Sequence, residues 1–301
     1  MQQRNFIFGS EWVYYKLYTG SKTSDSILTD VIKPISEELL ACGAIDKWFF
    51  IRYADPKHHL RIRFHCPDTN RILEVIKSLK EPLNNLFNKD LIWKIQTDTY
   101  VRELERYGAK TMELSETIFY YDSKCCIDFI ALIEGDVGEE LRWLFGLRAI
   151  DFFLSAFQFT TKQKLDLLEK LKTGFGEEFG MGRPLKKQLD DKFRNERDKI
   201  EHFMSFSKVS EPDYGVLLNL LEEKNKSVGI ISKEILGSIE QGSSLTLDSL
   251  ISSYIHMLMN RLFKSKNRLN EMVCYDFLYR YYRSFLARNK KLPNKTALKI
   301  N

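Results

Sequence analysis

Four basic side chains occupy every second position of one short stretch, His59, Arg61, Arg63 and His65 in HLRIRFH. Residues two apart in a β-strand share a face, so these four point one way while Leu60, Ile62 and Phe64 point the other, into a core. Arginines at this spacing stand roughly 6–7 Å apart. Their repulsion is under ~1 kcal/mol in water and on the order of 2–3 kcal/mol at an effective dielectric of ~20. Such a face is comfortable in solvent, or with an anion on it, and an arginine fork matches a carboxylate through two parallel hydrogen bonds. The spacing alone leaves both readings open. The preceding stretch Trp48–Tyr53 (WFFIRY) reads as a second strand, joined through Ala54–His58 (ADPKH), whose Asp-Pro is a turn signal. Depending on register, Arg52 joins the same basic face.

Two further groups carry chemistry. In Thr99–Gly108 (TYVRELERYG), a helical turn after a strand makes Glu103 and Arg106 i, i+3 neighbours and Arg102 and Arg106 i, i+4 neighbours. A pair of this kind is ordinarily a surface ion pair worth a few tenths of a kcal/mol. In ISSYIHMLMNRLF (Ile251–Phe263), Ser252, His256 and Asn260 form a polar stripe at i, i+4 and i+8 on a helix whose apolar side holds Ile251, Ile255, Leu258 and Leu262. The bland role for His256 is structural. The sharper one is general acid–base work near neutral pH. There is no HExxH, GxSxG or Cys–His context in the chain. The glycine-rich connector Gly174–Pro184 (GFGEEFGMGRP) lacks phosphate-loop spacing.

The elements that must position these residues change character along the chain. Glu11–Tyr18, Trp48–Tyr53, His59–His65 and Leu91–Tyr100 read as strands, with Glu116–Tyr121 as one more short strand. Ser24–Cys42 has helical periodicity broken by Pro34, and Thr69–Leu79 is helix-like. Helical patterns then dominate: Cys126–Glu134, Glu139–Phe157, Lys162–Lys172, Leu185–Phe206, Asp213–Ser238, Leu245–Lys264 and Leu269–Arg288. Strands early and helices late predict an α+β fold, helices packed on a mostly antiparallel sheet. One unit over residues 1–301 is expected, with a soft division near residue 135 into a sheet-rich part and a helical part.

Bulk composition narrows the class. The chain has 301 residues, 44% hydrophobic and 13% aromatic, which excludes disorder as its main state. No apolar run approaches the ~18–20 residues that span a bilayer, and the N-terminus does not read as a signal peptide. Five cysteines in an irregular pattern fit reduced thiols in a cytoplasmic protein, with neither a disulfide framework nor a metal site. The net charge of +5 demands no nucleic acid, and the basic stretch Asn289–Asn301 reads as a frayed, solvated end.

Several strings, in order and at matching spacing over nearly the whole chain, carry a resemblance: WVYYKLY (12–18), WFFIRYADPKHHLRIRF (48–64), YVRELERYG (100–108), FYYDS (119–123) and HMLMNRL (256–262). Together they resemble the C-terminal elimination domain of class I lantibiotic dehydratases, also found as separate thiopeptide-type bacteriocin biosynthesis proteins. The strings DPxxHLRxRF and RExERYG are the most specific. Ala109 departs from the pattern, where the family tends to a second glycine. The resemblance implies that a serine or threonine of a precursor peptide is glutamylated, at the expense of glutamyl-tRNA, by a separate and larger protein. This chain then expels glutamate to leave dehydroalanine or dehydrobutyrine, with no cofactor and no direct contact to nucleic acid, as one half of a split dehydratase. The family's catalytic positions map onto Arg61, Arg63, Glu103, Arg106 and His256, with Arg52, His59, Arg102 and Asn260 as substrate-binding neighbours. The rival expectations are a pyridine synthase on the same scaffold and a non-catalytic scaffold that binds the precursor peptide. The late helices offer faces for a homodimer or for the glutamylating partner.

Overall fold

Aromatic and β-branched residues in short alternating runs build the strands: β1 (Asn5–Phe6), β2 (Trp12–Tyr18), β3 (Lys47–Tyr53), β4 (His59–His65), β5 (Lys94–Thr97) and β6 (Tyr100–Val101). The computed structural model describes residues 2–180, 182–240 and 245–290. From residue 291 on, the basic stretch lies outside them, and Asn289 and Lys290 close the last helix. Four strands form one antiparallel sheet in the order β3-β4-β2-β5, and β1 pairs with β6 in a separate two-stranded ribbon. The expected strand Leu91–Tyr100 is therefore two strands serving two sheets. The chain turns between them, where the Asp98 amide donates to the Tyr14 carbonyl and the Thr99 amide to the Asp98 carboxylate.

The helices are α1 (Thr23–Ile27), α2 (Lys33–Ala41), α3 (Ile72–Asn88), α4 (Leu104–Tyr107), α5 (Met112–Ile130), α6 (Gly135–Ala156), α7 (Thr161–Glu178), α8 (Arg183–Ser205), α9 (Gly215–Glu240), α10 (Leu247–Leu262) and α11 (Asn267–Lys290). The fold is α+β. Pro34 does not break the first helical stretch. It sits in the first turn of α2, behind a π-helical segment at Leu28–Ile32 that joins α1 to α2 without a gap. Capping marks α7, where Thr160 and Gln163 form a reciprocal box, and α10, where Thr246 accepts from the Ser249 amide.

Three further readings of the sequence are corrected. Glu116–Tyr121 is not a strand but the middle of α5. Its buried positions Ser115, Glu116, Phe119, Asp122, Ser123 and Cys126 follow the helical period, which overrides the strand-like composition of IFYY. The separate helix expected at Cys126–Glu134 is the end of this same α5, which stops at Ile130. The connector Gly174–Pro184 is mostly absent as a loop, because α7 runs through Gly174 and Gly176 to Glu178. Packing onto α11 outweighs the roughly 1 kcal/mol that each interior glycine costs a helix.

Strand register decides what the sheet presents. Arg63 lies opposite Tyr14 and Phe49, Arg61 opposite Lys16 and Ile51, and His59 opposite Tyr18 and Tyr53. The other face carries Leu17, Phe50, Leu60, Ile62 and Phe64, all buried in a core that continues through α5, α6, α9, α10 and α11. β3 is an edge strand, and its free edge is satisfied by helices rather than by another strand. The Phe50 amide donates to Ser123 Oγ of α5 at 3.2 Å, and the Asn260 side chain of α10 takes both backbone groups of Arg52, each at 2.8 Å. This pins the strand-rich part to α10, the helix of His256. Among the described residues no helix is long and apolar enough to cross a membrane.

Candidate active site

Arg63 is 7% exposed, and its guanidinium lies 4.2 Å from the ring centre of Tyr14, 4.7 Å from that of Tyr100 and 5.2 Å from that of Phe49. Those rings are fixed in turn: Trp12 packs edge-on against Phe49 and Tyr100, and the Tyr100 hydroxyl donates to Glu116 at 2.9 Å. Burial and the Glu116 carboxylate push the Tyr100 phenol well above its ordinary value, so it stays a donor. Among the described residues five other arginines are buried, and each gives N–H groups to acceptors. Arg52 bonds Asp25, Ser24 and the Arg261 carbonyl; Arg102 bonds Glu116; Arg142 bonds Asp25 and the Leu262 carbonyl. Arg148 bonds the Phe203 and Phe206 carbonyls, and Arg261 bonds Ser123 Oγ and the Met257 carbonyl. Among the described residues Arg63 alone of the buried arginines has no hydrogen-bond acceptor and no carboxylate within 4 Å, and its Nε is fully enclosed. A buried charge left in this state is expensive to keep and lowers its energy when an anion arrives.

Arg63 opens into a small pocket shared with Glu103, Tyr107, Phe119 and Met257. Glu103 lines it and pairs at 3.1 Å with Arg106, both side chains being largely exposed. The helical turn that holds them starts only at Leu104, so Arg102 and Arg106 are not helix neighbours as the spacing suggested. Arg102 instead points inward and closes on Glu116 through two bonds of 2.7 Å. The Tyr107 hydroxyl ends buried beside Arg106 without a hydrogen bond of normal geometry.

Two residues along β4, Arg61 stacks on the Tyr53 ring at 3.5 Å and donates from Nε to His59 Nε2 at 3.0 Å. His59 gives its Nδ1 proton to the Lys57 carbonyl at 2.8 Å, which leaves Nε2 as the acceptor and requires a neutral ring. His58 makes the equivalent bond to the Thr19 carbonyl at 2.9 Å. Burial holds both imidazoles below their ordinary value of 6.5. Below that value the unfolded chain takes up protons that the folded chain refuses, so stability falls as pH drops from about 6.5 toward the folded values. The urea midpoint should therefore fall between pH 7.5 and pH 5.5, and His58→Gln/His59→Gln should remove most of that fall. An equal fall in the double variant would show that other groups cause it.

His256, 27% exposed, belongs to the turn of α10 whose next residue, Met257, lines the Arg63 pocket. Its Nδ1 proton goes to Glu271 Oε2 at 2.8 Å, and the other Glu271 oxygen accepts from Tyr275 at 2.7 Å. Burial and Glu271 push the Tyr275 phenol well above its ordinary value, so it donates permanently. Glu271, 1% exposed, thus orients the ring and, in the neutral imidazole, selects the tautomer with the proton on Nδ1.

The structure brings Arg63 and Glu103 to one pocket, with Met257, the neighbour of His256, on its wall; Arg106 is joined to it through its pair with Glu103, and His256 and Arg61 do not line it. It does not bring Arg52 there. Arg52 pairs with Leu60 across the hairpin, which puts its side chain on the core face, away from Arg61 and Arg63. Arg102 and Asn260 likewise spend their polar atoms on Glu116 and on the β3 backbone. Sequence reasoning missed Glu271 and the ring box of Tyr14, Phe49 and Tyr100. Alternation in WVYYKLY was the one available signal for Tyr14. Nothing in the spacing pointed to Glu271, which lies on the helix after that of His256. Another cavity, of about 440 Å³, lies elsewhere, between Lys22, Arg142 and Lys264, where acidic neighbours balance its basic residues.

A family model described as the C-terminal part of lantibiotic biosynthesis dehydratases matches residues 12–282. The chain belongs to that family. Its match to the nisin biosynthesis protein NisB of Lactococcus lactis subsp. lactis is 28% identical over 291 residues, 91% of this chain and 26% of NisB. The chain thus spans about a quarter of the length of the curated relatives it matches. Two solved structures share the family's fold. The tRNA-dependent lantibiotic dehydratase MibB of Microbispora sp. 107891 superposes with a TM-score of 0.74 at 20% identity, over 95% of this chain and 29% of MibB. The pyridine synthase TbtD of thiomuracin biosynthesis superposes at 0.63 and 13% identity, over 91% of this chain and all of TbtD.

Proposed function

We propose that this chain acts in the cytoplasm as a lyase that eliminates glutamate from glutamylated serine or threonine residues of a ribosomal precursor peptide, leaving dehydroalanine or dehydrobutyrine. The observation that carries the reading is Arg63, a buried cation with no protein acceptor, in a member of this dehydratase family. The step removes a Cα proton, places enolate-like charge on the peptide carbonyl, and breaks the Cβ–O bond so that glutamate departs with the electron pair. A leaving carboxylate is the anion an arginine fork fits, and a pocket walled by rings strengthens that pairing by excluding water. In this reading Arg63 receives the leaving carboxylate, and Arg61 and Arg106 hold the rest of the glutamyl group and the peptide carbonyl. His256 Nε2 takes the Cα proton, Glu271 orients the ring, and Glu103 positions Arg106. Side chains account for every proton and charge, so no cofactor is called for. A separate glutamylating protein, charged by glutamyl-tRNA, supplies the substrate.

A synthetic peptide with one glutamyl ester on serine tests this by mass. Loss of the whole glutamate, leaving a peptide one water lighter than its unmodified parent, is expected. His256→Ala should slow release at least 10²-fold, and Glu271→Gln should lower kcat about tenfold with KM unchanged. An ester that persists with the parent protein, despite measured peptide binding, would sink the reading. Conversion of a peptide with two dehydroalanines into a ring would replace it with pyridine synthesis.

A further inference from the structure

Arg63 shares its pocket with a second buried donor that has no acceptor. Tyr107, the last residue of α4, lines the same space of about 40 Å³ and is 3% exposed. Its hydroxyl is fully enclosed and, among the described residues, makes no hydrogen bond of normal geometry. Arg106 beside it has only N–H groups to give, so the phenolic proton is left without an acceptor. We propose that Tyr107 is a catalytic residue whose hydroxyl donates a hydrogen bond to the departing glutamate carboxylate held by Arg63. The proposal rests on the elimination reading and adds a group to it.

Size and valence support it first. The pocket has room for a group of only a few atoms, and a carboxylate is of that size. A carboxylate offers about four lone pairs, of which a bidentate arginine fork uses two. Another donor can take one of the rest, and Tyr107 is the other lining residue whose side-chain donor is buried and unpaired. Rigidity supports it second. The Tyr107 ring packs edge-on against Phe119 at 5.0 Å and stacks on Tyr254 at 5.7 Å, and the Tyr254 hydroxyl is itself bonded to Ser115 Oγ at 2.6 Å. The Tyr107 amide donates to the Glu103 carbonyl at 3.0 Å, and Gly108 turns the chain out of α4 at a φ of +76°. A hydroxyl held this way needs no reorganisation when charge develops beside it. Burial pushes the phenol above its ordinary value of 10.0, so it stays protonated and gives a hydrogen bond rather than a proton. The ester oxygen is a weak acceptor and the departing carboxylate a strong one, so the bond strengthens as Cβ–O breaks. An interaction that grows toward the transition state acts on kcat and leaves KM nearly alone.

Tyr107→Phe in the full chain tests it with the glutamyl-ester peptide. The variant's kcat should fall about tenfold or more, with KM changed by less than about twofold. Its urea midpoint should hold or rise, because phenylalanine keeps the ring and removes an unpaired buried hydroxyl. A fluorinated glutamyl ester has a less basic carboxylate to release, so with it the variant's deficit should shrink about threefold. An unchanged kcat would overturn the proposal, as would a rate loss matched by a lower urea midpoint. So would an equal deficit with both esters, which would put the hydroxyl on the peptide carbonyl instead. A parent that leaves the ester intact sinks the elimination reading separately, and titration with free glutamate then reads the same bond without turnover. Binding about fivefold weaker in the variant supports the assignment, and equal binding, or none by the parent, overturns it.

Discussion

Replacing Arg63 by methionine should slow glutamate release by 10²–10³-fold or more while changing folding stability by no more than about 1 kcal/mol. The two halves of this expectation have one cause. A transition-state donor aimed at developing charge is worth about 2.7–4 kcal/mol, and a charged, bidentate one sits at the upper end. For the empty pocket the same charge is a burden, because Arg63 is buried without an acceptor. Its removal relieves desolvation and forfeits three ring contacts, each about 0.5–2 kcal/mol. Methionine keeps the volume and a favourable sulfur–ring contact, so the opposing terms nearly cancel. Arg102→Met is the contrast, because it strands the fully buried Glu116 and should cost about 3–5 kcal/mol. Urea midpoints and the mass-monitored rate for both variants give the comparison. An Arg63→Met protein that releases glutamate at the parent rate would remove Arg63 from the chemistry. One that loses several kcal/mol would show that Arg63 has a structural partner.

The hairpin was legible because its information is local. Period two in HLRIRFH sorts Arg61 and Arg63 from Leu60 and Phe64 with no knowledge of the rest of the chain, and the observed register keeps that sorting. Arg52 was ambiguous for the complementary reason. Its face depends on how many residues the turn consumes, and the Ala54–His58 turn aligns it with Leu60 rather than with a basic residue. Composition misled at Glu116–Tyr121, where a β-like string lies inside a helix whose buried polar residues Glu116 and Asp122 serve Arg102 and Lys224. Long-range partners left no trace in one dimension. The Glu271 bond to His256 and the Asn260 clamp on β3 both come from helix packing, and each partner taken alone reads as an ordinary polar residue.

Asp25→Ala should be among the most destabilising single changes in the protein, at about 3–5 kcal/mol out of a typical total of 5–15. One Asp25 oxygen accepts from Arg52 of β3 at 2.6 Å and the other from Arg142 of α6 at 2.7 Å. Those arginines also bond the carbonyls of Arg261 and Leu262 at the end of α10, at 3.0 and 2.7 Å. One carboxylate on α1 therefore ties β3, α6 and α10 together, and its loss leaves two buried guanidinium groups facing each other. Burial pushes the Asp25 carboxyl up, but the two arginines outweigh it and hold it below its ordinary value of 3.8. A depressed carboxyl stabilises the fold fully above about 3.8 and ceases to do so as pH falls through the folded value. Parent and variant should therefore differ by the whole amount at pH 7 and converge only in strong acid. A triple replacement, Asp25→Leu/Arg52→Met/Arg142→Met, separates stranded charge from lost packing, because apolar residues of similar volume can replace a buried ionic cluster at little cost. Recovery of most of the stability in the triple variant is the expected result. A triple variant no more stable than Asp25→Ala would mean that the cluster works through its hydrogen bonds to the α10 carbonyls rather than through its charge balance.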